Sequence, residues 1–214
     1  MGSQPRKRES SLWLLTKPST RTNYSQHSSF SSVAALGKLE VMSQRIIEVI
    51  DYQSQWVVDF SREKELISSV LTAANIHTIH HIGSTSVKGL CAKPIIDILL
   101  EVKSLDILDS ESEKMASLGY LVKGEFGIKG RRYFQKGGVQ RTHQVHAFIT
   151  DSPEVKRHIA FRDYLRAFPD VAFKYGEIKR AGAAICNNDI DVYIDYKNSF
   201  IKKYEAKAVR WKFP

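Results

Sequence analysis

The run Ile95-Ile96-Asp97-Ile98-Leu99-Leu100 constrains this chain more than any other stretch. Six residues that apolar and β-branched read as a strand covered on both faces, so the fold needs packing layers above and below it. Lys93-Pro94 breaks the chain just before the run, and the polar turn Gly83-Ser84-Thr85-Ser86 precedes that break. Asp97 is out of place in such a strand. A carboxylate there is costly to desolvate unless it meets a metal, a cation or several donors. The plain alternative is an aspartate near the strand end or paired with a core arginine.

The stretch HIGSTSVKGLCAKPIIDILLEV, from His81 to Val102, resembles the signature of the GrpB family, which is similar in fold to the nucleotidyltransferase superfamily. GIKGRRYFQKGG from Gly127, RTHQVHAFI from Arg141, HIAFRDYLRAFP from His158 and YIDYKNSFIKKYEAKA from Tyr193 follow in family order. The resemblance covers roughly Arg45 to Trp211. It implies an α+β fold, with a nucleotidyltransferase-like mixed sheet backed by helices and a C-terminal helical layer. It also implies a Gly-Ser turn, here Gly83 and Ser84, that opens a helix and holds the phosphates of an NTP. Carboxylates on the next strand would hold one or two divalent ions, Mg²⁺ or Mn²⁺, and Asp97 matches the first of them. Two residues on, where the superfamily pattern has a second carboxylate, stands Leu99. Glu101 shares the face of Asp97, but at ~3.3 Å rise per residue its Cα lies ~13 Å away, too far for simple sharing of one ion.

The order of elements agrees with α+β architecture. Arg45 to Asp51 alternates like a short strand, and Gln53 to Ala74 reads as a helix with Trp56, Phe60, Leu66 and Val70 on its buried stripe and Glu63 facing water. Further strands are expected over 76–82, 93–102, 120–122 and 139–150, and a helix over 111–118. Gly124 to Gly138 reads as a hairpin with a basic tip. Ser152 or Asp151 caps a helix that carries Pro153 in its first turn and runs to about Ala167. Two more helices are expected over 170–184 and 191–209, the last burying Tyr193, Tyr196, Phe200 and Tyr204.

At 214 residues and 43% hydrophobic, the chain suits one domain, residues 42–211, behind an extension. Residues 1–41 are Ser-rich and too polar to pack a core, which reads as a disordered basic extension. Arg6, Lys7, Arg8, Lys17, Arg21 and Lys38 against Glu9 and Glu40 give them +4 of the net +9. The folded part is thus moderately basic, which suits a small phosphorylated ligand or nucleotide and does not demand nucleic acid. Cys91 and Cys186 lack metal-ligand spacing and suggest a reduced, cytoplasmic setting, and no window is long and apolar enough for a membrane span.

Several residues could complete a site around Asp97. His146 on the 139–150 strand is the foremost histidine, as metal ligand or general base, while His143 should face the other way. His80 and His81 flank the turn. Lys93, Arg131, Arg132, Arg162 and Lys197 are the basic residues placed to hold phosphate, with Lys179 behind them and Arg162–Asp163 also a plausible structural pair. Three functions compete. The first is metal-dependent nucleotidyl transfer from an NTP. The second is a non-catalytic module for a nucleotide or coenzyme A-like phosphate ligand, since some family members are fused to dephospho-coenzyme A kinase. The third is RNA binding through the basic tail and the Arg131-Arg132 hairpin, with Tyr133 and Phe134 stacking on bases.

Overall fold

The computed structural model describes residues 46–214. Five strands form one mixed sheet: β1 (Ile76–Ile82), β2 (Ile96–Val102), β3 (Tyr120–Val122), β4 (Arg132–Lys136) and β5 (His143–Ile149), in the order β1-β2-β5-β4-β3. The β2–β5 pair is parallel and the other pairs are antiparallel. A parallel pair needs a crossover, and the residues between β2 and β5 supply it with two short helices and the β3–β4 hairpin.

Helices cover both faces, as the double-sided apolar run of β2 demands. Ile96, Ile98, Leu100 and Val102 pack with Val145, Ala147 and Phe134 against α1 (Gln55–Val70), α2 (Leu105–Ser110) and α3 (Ser112–Ser117). On the other face Leu99, Ile82 and Phe148 meet Val155 of α4 (Pro153–Ala167). Then α5 (Pro169–Ile185) and α6 (Ile190–Lys212) pack on α4 through Phe161, Leu165, Tyr175, Phe200 and Ile201. This is the mixed sheet backed by helices, with a C-terminal helical layer, that the resemblance implies. The predicted extension lies outside the described residues.

Local signals placed most elements well. Ser152 caps α4 by accepting from the Val155 amide at 3.4 Å, with Pro153 at the first helical position. Three expectations need correction. The segment from Ile46 to Asp51 forms no strand beyond one bridge, Ile50 to Ala92. Instead Ile47 packs on Cys186, Tyr193 and Ile194, and its amide donates to Asn188 Oδ1 at 2.9 Å, so the backbone is satisfied outside any ladder. In α1 the buried stripe is Trp56, Glu63 and Ile67, with Leu66 exposed, because 56, 60, 63 and 67 fall on one helical face. Buried Glu63 accepts two bonds from Lys136 Nζ, at 2.9 and 3.1 Å. In α6, Tyr193 and Phe200 are buried while Tyr196 stays 43% exposed, since its position falls at the edge of the 193–200 face.

Removing Glu63 leaves the Lys136 ammonium under α1 without its carboxylate, whereas Leu66 already meets water. Glu63→Ala is therefore expected to cost roughly 3 kcal/mol and Leu66→Ala under about 0.5 kcal/mol in chemical denaturation.

Candidate functional site

The site grows from the exit of β1. Gly83 has φ +67°, and a Cβ built there would stand 2.4 Å from Asp97 Oδ2 on the adjacent strand. Glycine is thus required twice, for the left-handed backbone and for the close approach of the carboxylate. Asp97 pairs in register with Ile82 on β1 and Gln144 on β5. His146, two residues further along β5, shares that face, and its Nε2 lies 3.9 Å from Asp97 Oδ1.

These residues floor a cleft between the sheet and α4–α6. Among the described residues five cations, Lys93, Arg131, Arg162, Lys179 and Lys197, line it against the single carboxylate of Asp97. Lys93 and Lys197 sit over the same ring, that of Tyr193, with Nζ atoms 4.8 and 4.9 Å from its centroid. Lys179 is buried, donates to the Cys91 carbonyl and lies 4.8 Å from the centre of the Tyr175 ring. Arg162 Nε donates to Asp163 Oδ1 at 2.7 Å, the expected structural pair, while the same side chain borders the cleft. Low-dielectric walls that carry an excess of one sign concentrate counter-ions, here anions.

Burial shapes the protonation of these groups. It lowers the Lys179 ammonium to about 7 and, with Asp97 acting in the opposite sense, Lys197 to about 8. His146 is lowered by burial against the pull of Asp97, and His158 falls well below the ordinary imidazole value through burial and the nearby Arg157 charge. Both imidazoles are therefore neutral at pH 7.

Other expected residues are placed elsewhere. Arg132 begins β4 on the α1–α3 face, where Asp109 takes Nε at 2.6 Å and Nη2 at 2.7 Å. Arg131, in the turn before β4, lines the cleft, whereas Arg132, the first residue of the strand, points to the opposite face. Tyr133 and Phe134 are each 1% exposed, which removes them as surface stacking partners for RNA. His80 is taken by Glu101 at 2.5 Å, and Glu101 also accepts from Thr150 Oγ1 at 3.1 Å, so this second acid is engaged away from Asp97. His81 stacks on Phe60 with centroids 4.7 Å apart and bonds Thr85 Oγ1 at 3.0 Å; burial lowers it to about 4. His143 faces α1, 3.8 Å from Glu63, on the face opposite His146 as expected. The Gly83-Ser84 turn opens one turn of 3-10 helix, Ser84–Ser86, rather than a long helix, because Val87 is already extended.

Lys179 and His158 belong to the cleft and carried too little weight in the sequence. A signal for the lysines was present. Tyr175 with Lys179 and Tyr193 with Lys197 repeat an aromatic–lysine spacing of four on two helices, which puts each ammonium beside its ring. For His158 only the packing of α4 on the sheet shows that it meets His146, with ring centroids 5.7 Å apart.

Asp97 and His146 present two protein donors on one face of the sheet. Among the described residues no three His, Cys, Asp or Glu side chains converge as a metal cluster. Asp97 and His146 are near enough to reach one ion together, and their mixed O and N donors suit Mn²⁺ better than Mg²⁺.

An α+β protein with a cation-lined cleft over the Asp97-bearing end of β2 is thus defined by the fold and site. The chain belongs to the GrpB family: the family profile described as GrpB protein matches residues 46–207. UPF0157 protein YqkA of Bacillus subtilis is 45% identical over 177 residues, which are 83% of this chain and 51% of YqkA, so this chain spans about half of that relative. The crystal structure of conserved protein GrpB from Enterococcus faecalis aligns over 78% of this chain and 100% of that one, at 41% identity and TM-score 0.75. The Cid1 poly(U) polymerase aligns over 61% of this chain and 45% of its own, at 10% identity and TM-score 0.42, a distance at which no chemistry transfers.

Gly83→Ala is expected to cost about 1–3 kcal/mol in thermal denaturation, because the methyl must displace the Asp97 carboxylate and the φ is unfavourable for alanine. A pH series separates folding from anion affinity. Lys179 and Lys197 are lowered in the fold relative to 10.5 when unfolded, so burial penalises them fully below about 7 and the penalty is relieved as pH rises towards 10.5. Their share of stability should rise over that window, while affinity for a phosphate anion should fall between about pH 7 and 8 as the ammoniums lose their protons.

Proposed function

We propose that the cleft binds a nucleotide through its phosphates and that the protein transfers the nucleotide from an NTP to an acceptor. The observation that supports this reading is the lone carboxylate of Asp97, set against the Gly83 turn and faced by five cations. In this reading Lys93, Lys179, Lys197 and Arg162 hold the phosphates beside Gly83 and Ser84. Asp97 and His146 would hold a divalent ion, Mg²⁺ or Mn²⁺, that arrives with the triphosphate and supplies charge screening at the transferred phosphorus. A His146 bound to the ion has no lone pair left for a proton, so it takes the proton of the acceptor hydroxyl or amine only where Asp97 alone holds the ion, its imidazole being neutral through burial; otherwise that proton passes to water. The acceptor atom bonds to the α-phosphorus, and pyrophosphate leaves with the electron pair of the broken P–O bond.

A second reading has its own observation. With Leu99 in the second acidic position and Glu101 held by His80 and Thr150, the cleft also suits binding of a nucleotide-like or coenzyme A-like phosphate ligand without catalysis.

Calorimetry with each NTP, with and without Mn²⁺, and a pyrophosphate-release assay separate the readings. For transfer, Mn²⁺ should tighten NTP binding at least about tenfold and pyrophosphate should appear, both effects vanishing in Asp97→Asn. Binding that ignores the metal and survives Asp97→Asn without pyrophosphate would leave the ligand-binding module standing. Failure of every phosphate ligand to bind would sink both.

A further inference from the structure

The cationic cleft is not uniform, and its two ends differ in how their charges are satisfied. Arg131 is 2% exposed, yet among the described residues its guanidinium bonds only backbone carbonyls: Nε donates to Glu125 O at 3.2 Å and Nη2 to Phe126 O at 2.7 Å. No carboxylate pairs with it among the described residues, and burial lowers it to about 10. Its neighbours show the contrast. Arg132 has Asp109 at 2.6 Å and Arg157 has Glu205 at 2.9 Å.

A buried guanidinium without a counter-charge is costly unless an anion completes it. The local chain is shaped to hold it there, with Phe126 at φ +43° and Gly124, Gly127 and Gly130 also at positive φ, so that the Glu125 and Phe126 carbonyls turn toward the guanidinium. Beneath it lies Tyr133, whose ring centroid is 4.7 Å from Arg131 Cζ. Tyr133 is 1% exposed, lines the cleft, and its hydroxyl is buried without a hydrogen-bond partner. Gln135 is close enough to influence that hydroxyl but not in bonding geometry. An orphaned hydroxyl costs about as much as a lost hydrogen bond. A guanidinium without a counter-charge and an orphaned phenol thus stand side by side on one cleft wall.

Their position in the sheet separates them from the Gly83 turn. Gly83 follows β1, Asp97 lies on β2, His146 on β5 and Tyr133 on β4, in that spatial order. Three strand spacings, about 14 Å, lie between the ends, with Asp97 and His146 in the middle. We infer that Arg131 and Tyr133 form a second subsite, which takes the terminal carboxylate or phosphate of the acceptor and presents its hydroxyl or amine toward Asp97 and His146. This assignment rests on the proposed placement of the nucleotide at the Gly83 end. The acceptor is then a small hydroxylated or aminated oxyanion, and Arg131 with Tyr133 sets that specificity.

The test titrates glycolate and glycerol 3-phosphate, a carboxylate and a phosphate probe, into the wild-type protein and into Tyr133→Phe, Arg131→Gln and Arg132→Gln. Tyr133→Phe keeps the ring and the packing, so it reads the hydroxyl even if Arg131→Gln fails to fold. At least one probe should bind saturably, about tenfold more weakly in Tyr133→Phe and unchanged in Arg132→Gln; the probe that binds tells carboxylate from phosphate. NTP affinity should stay within about twofold of wild type in Tyr133→Phe. No saturable binding of either probe, or equal affinity in Tyr133→Phe and wild type, overturns the subsite. A loss of NTP affinity in Tyr133→Phe as large as that in Lys197→Met also overturns it, because it would put the nucleotide on this wall. Probe binding without any NTP binding would keep the subsite and remove the nucleotide reading instead.

Discussion

The approach of the Asp97 carboxylate to the bare backbone of Gly83 organises the cleft. A side chain on residue 83 would occupy the space that Oδ2 now fills, so the turn and the acid are placed by one steric condition. Three of the cations that face this contact come from the opposite layer. The lysines of α5 and α6, and Arg162 of α4, hang over a floor of two strands, and their charges are balanced only in part by the acid below.

Strand parity then divides the polar residues between two faces. Asp97, His146 and Tyr133 share the face toward α4, whereas Arg132, His143 and Lys136 share the face toward α1. The second face uses its charges structurally, pairing Arg132 with Asp109 and Lys136 with Glu63. The first leaves several cations around one carboxylate. The sheet itself therefore separates the Arg132–Asp109 and Lys136–Glu63 pairs from the cations of the cleft, a consequence of the two-residue period of β structure.

Much of this was legible without coordinates. The run through Asp97 announced a strand covered on both sides, the capping signals of α4 were local, and alternation along β5 put His146 and His143 on opposite faces. The pairing of β2 with β5 was not local, and it brings His146 to Asp97. Nor was the burial of Glu63, since a charged residue on a helix ordinarily faces water and Lys136, its partner, lies 73 residues away in sequence. Arg131 and Arg132 looked alike as neighbours; only the turn into β4 sends one inward and the other out.

The sequence by itself determined the elements, the two-layered burial of β2 and the need for a partner at Asp97, because these follow from periodicity, turn chemistry and the cost of burying a charge. It also determined the family, through motifs spread along most of the chain. Tertiary structure decided which charges meet. Whether Lys179, His158 or Arg131 reaches the cleft depends on strand order and on the packing of α4–α6 across the sheet. Those relations hold between residues far apart in the chain, where spacing carries no information about distance.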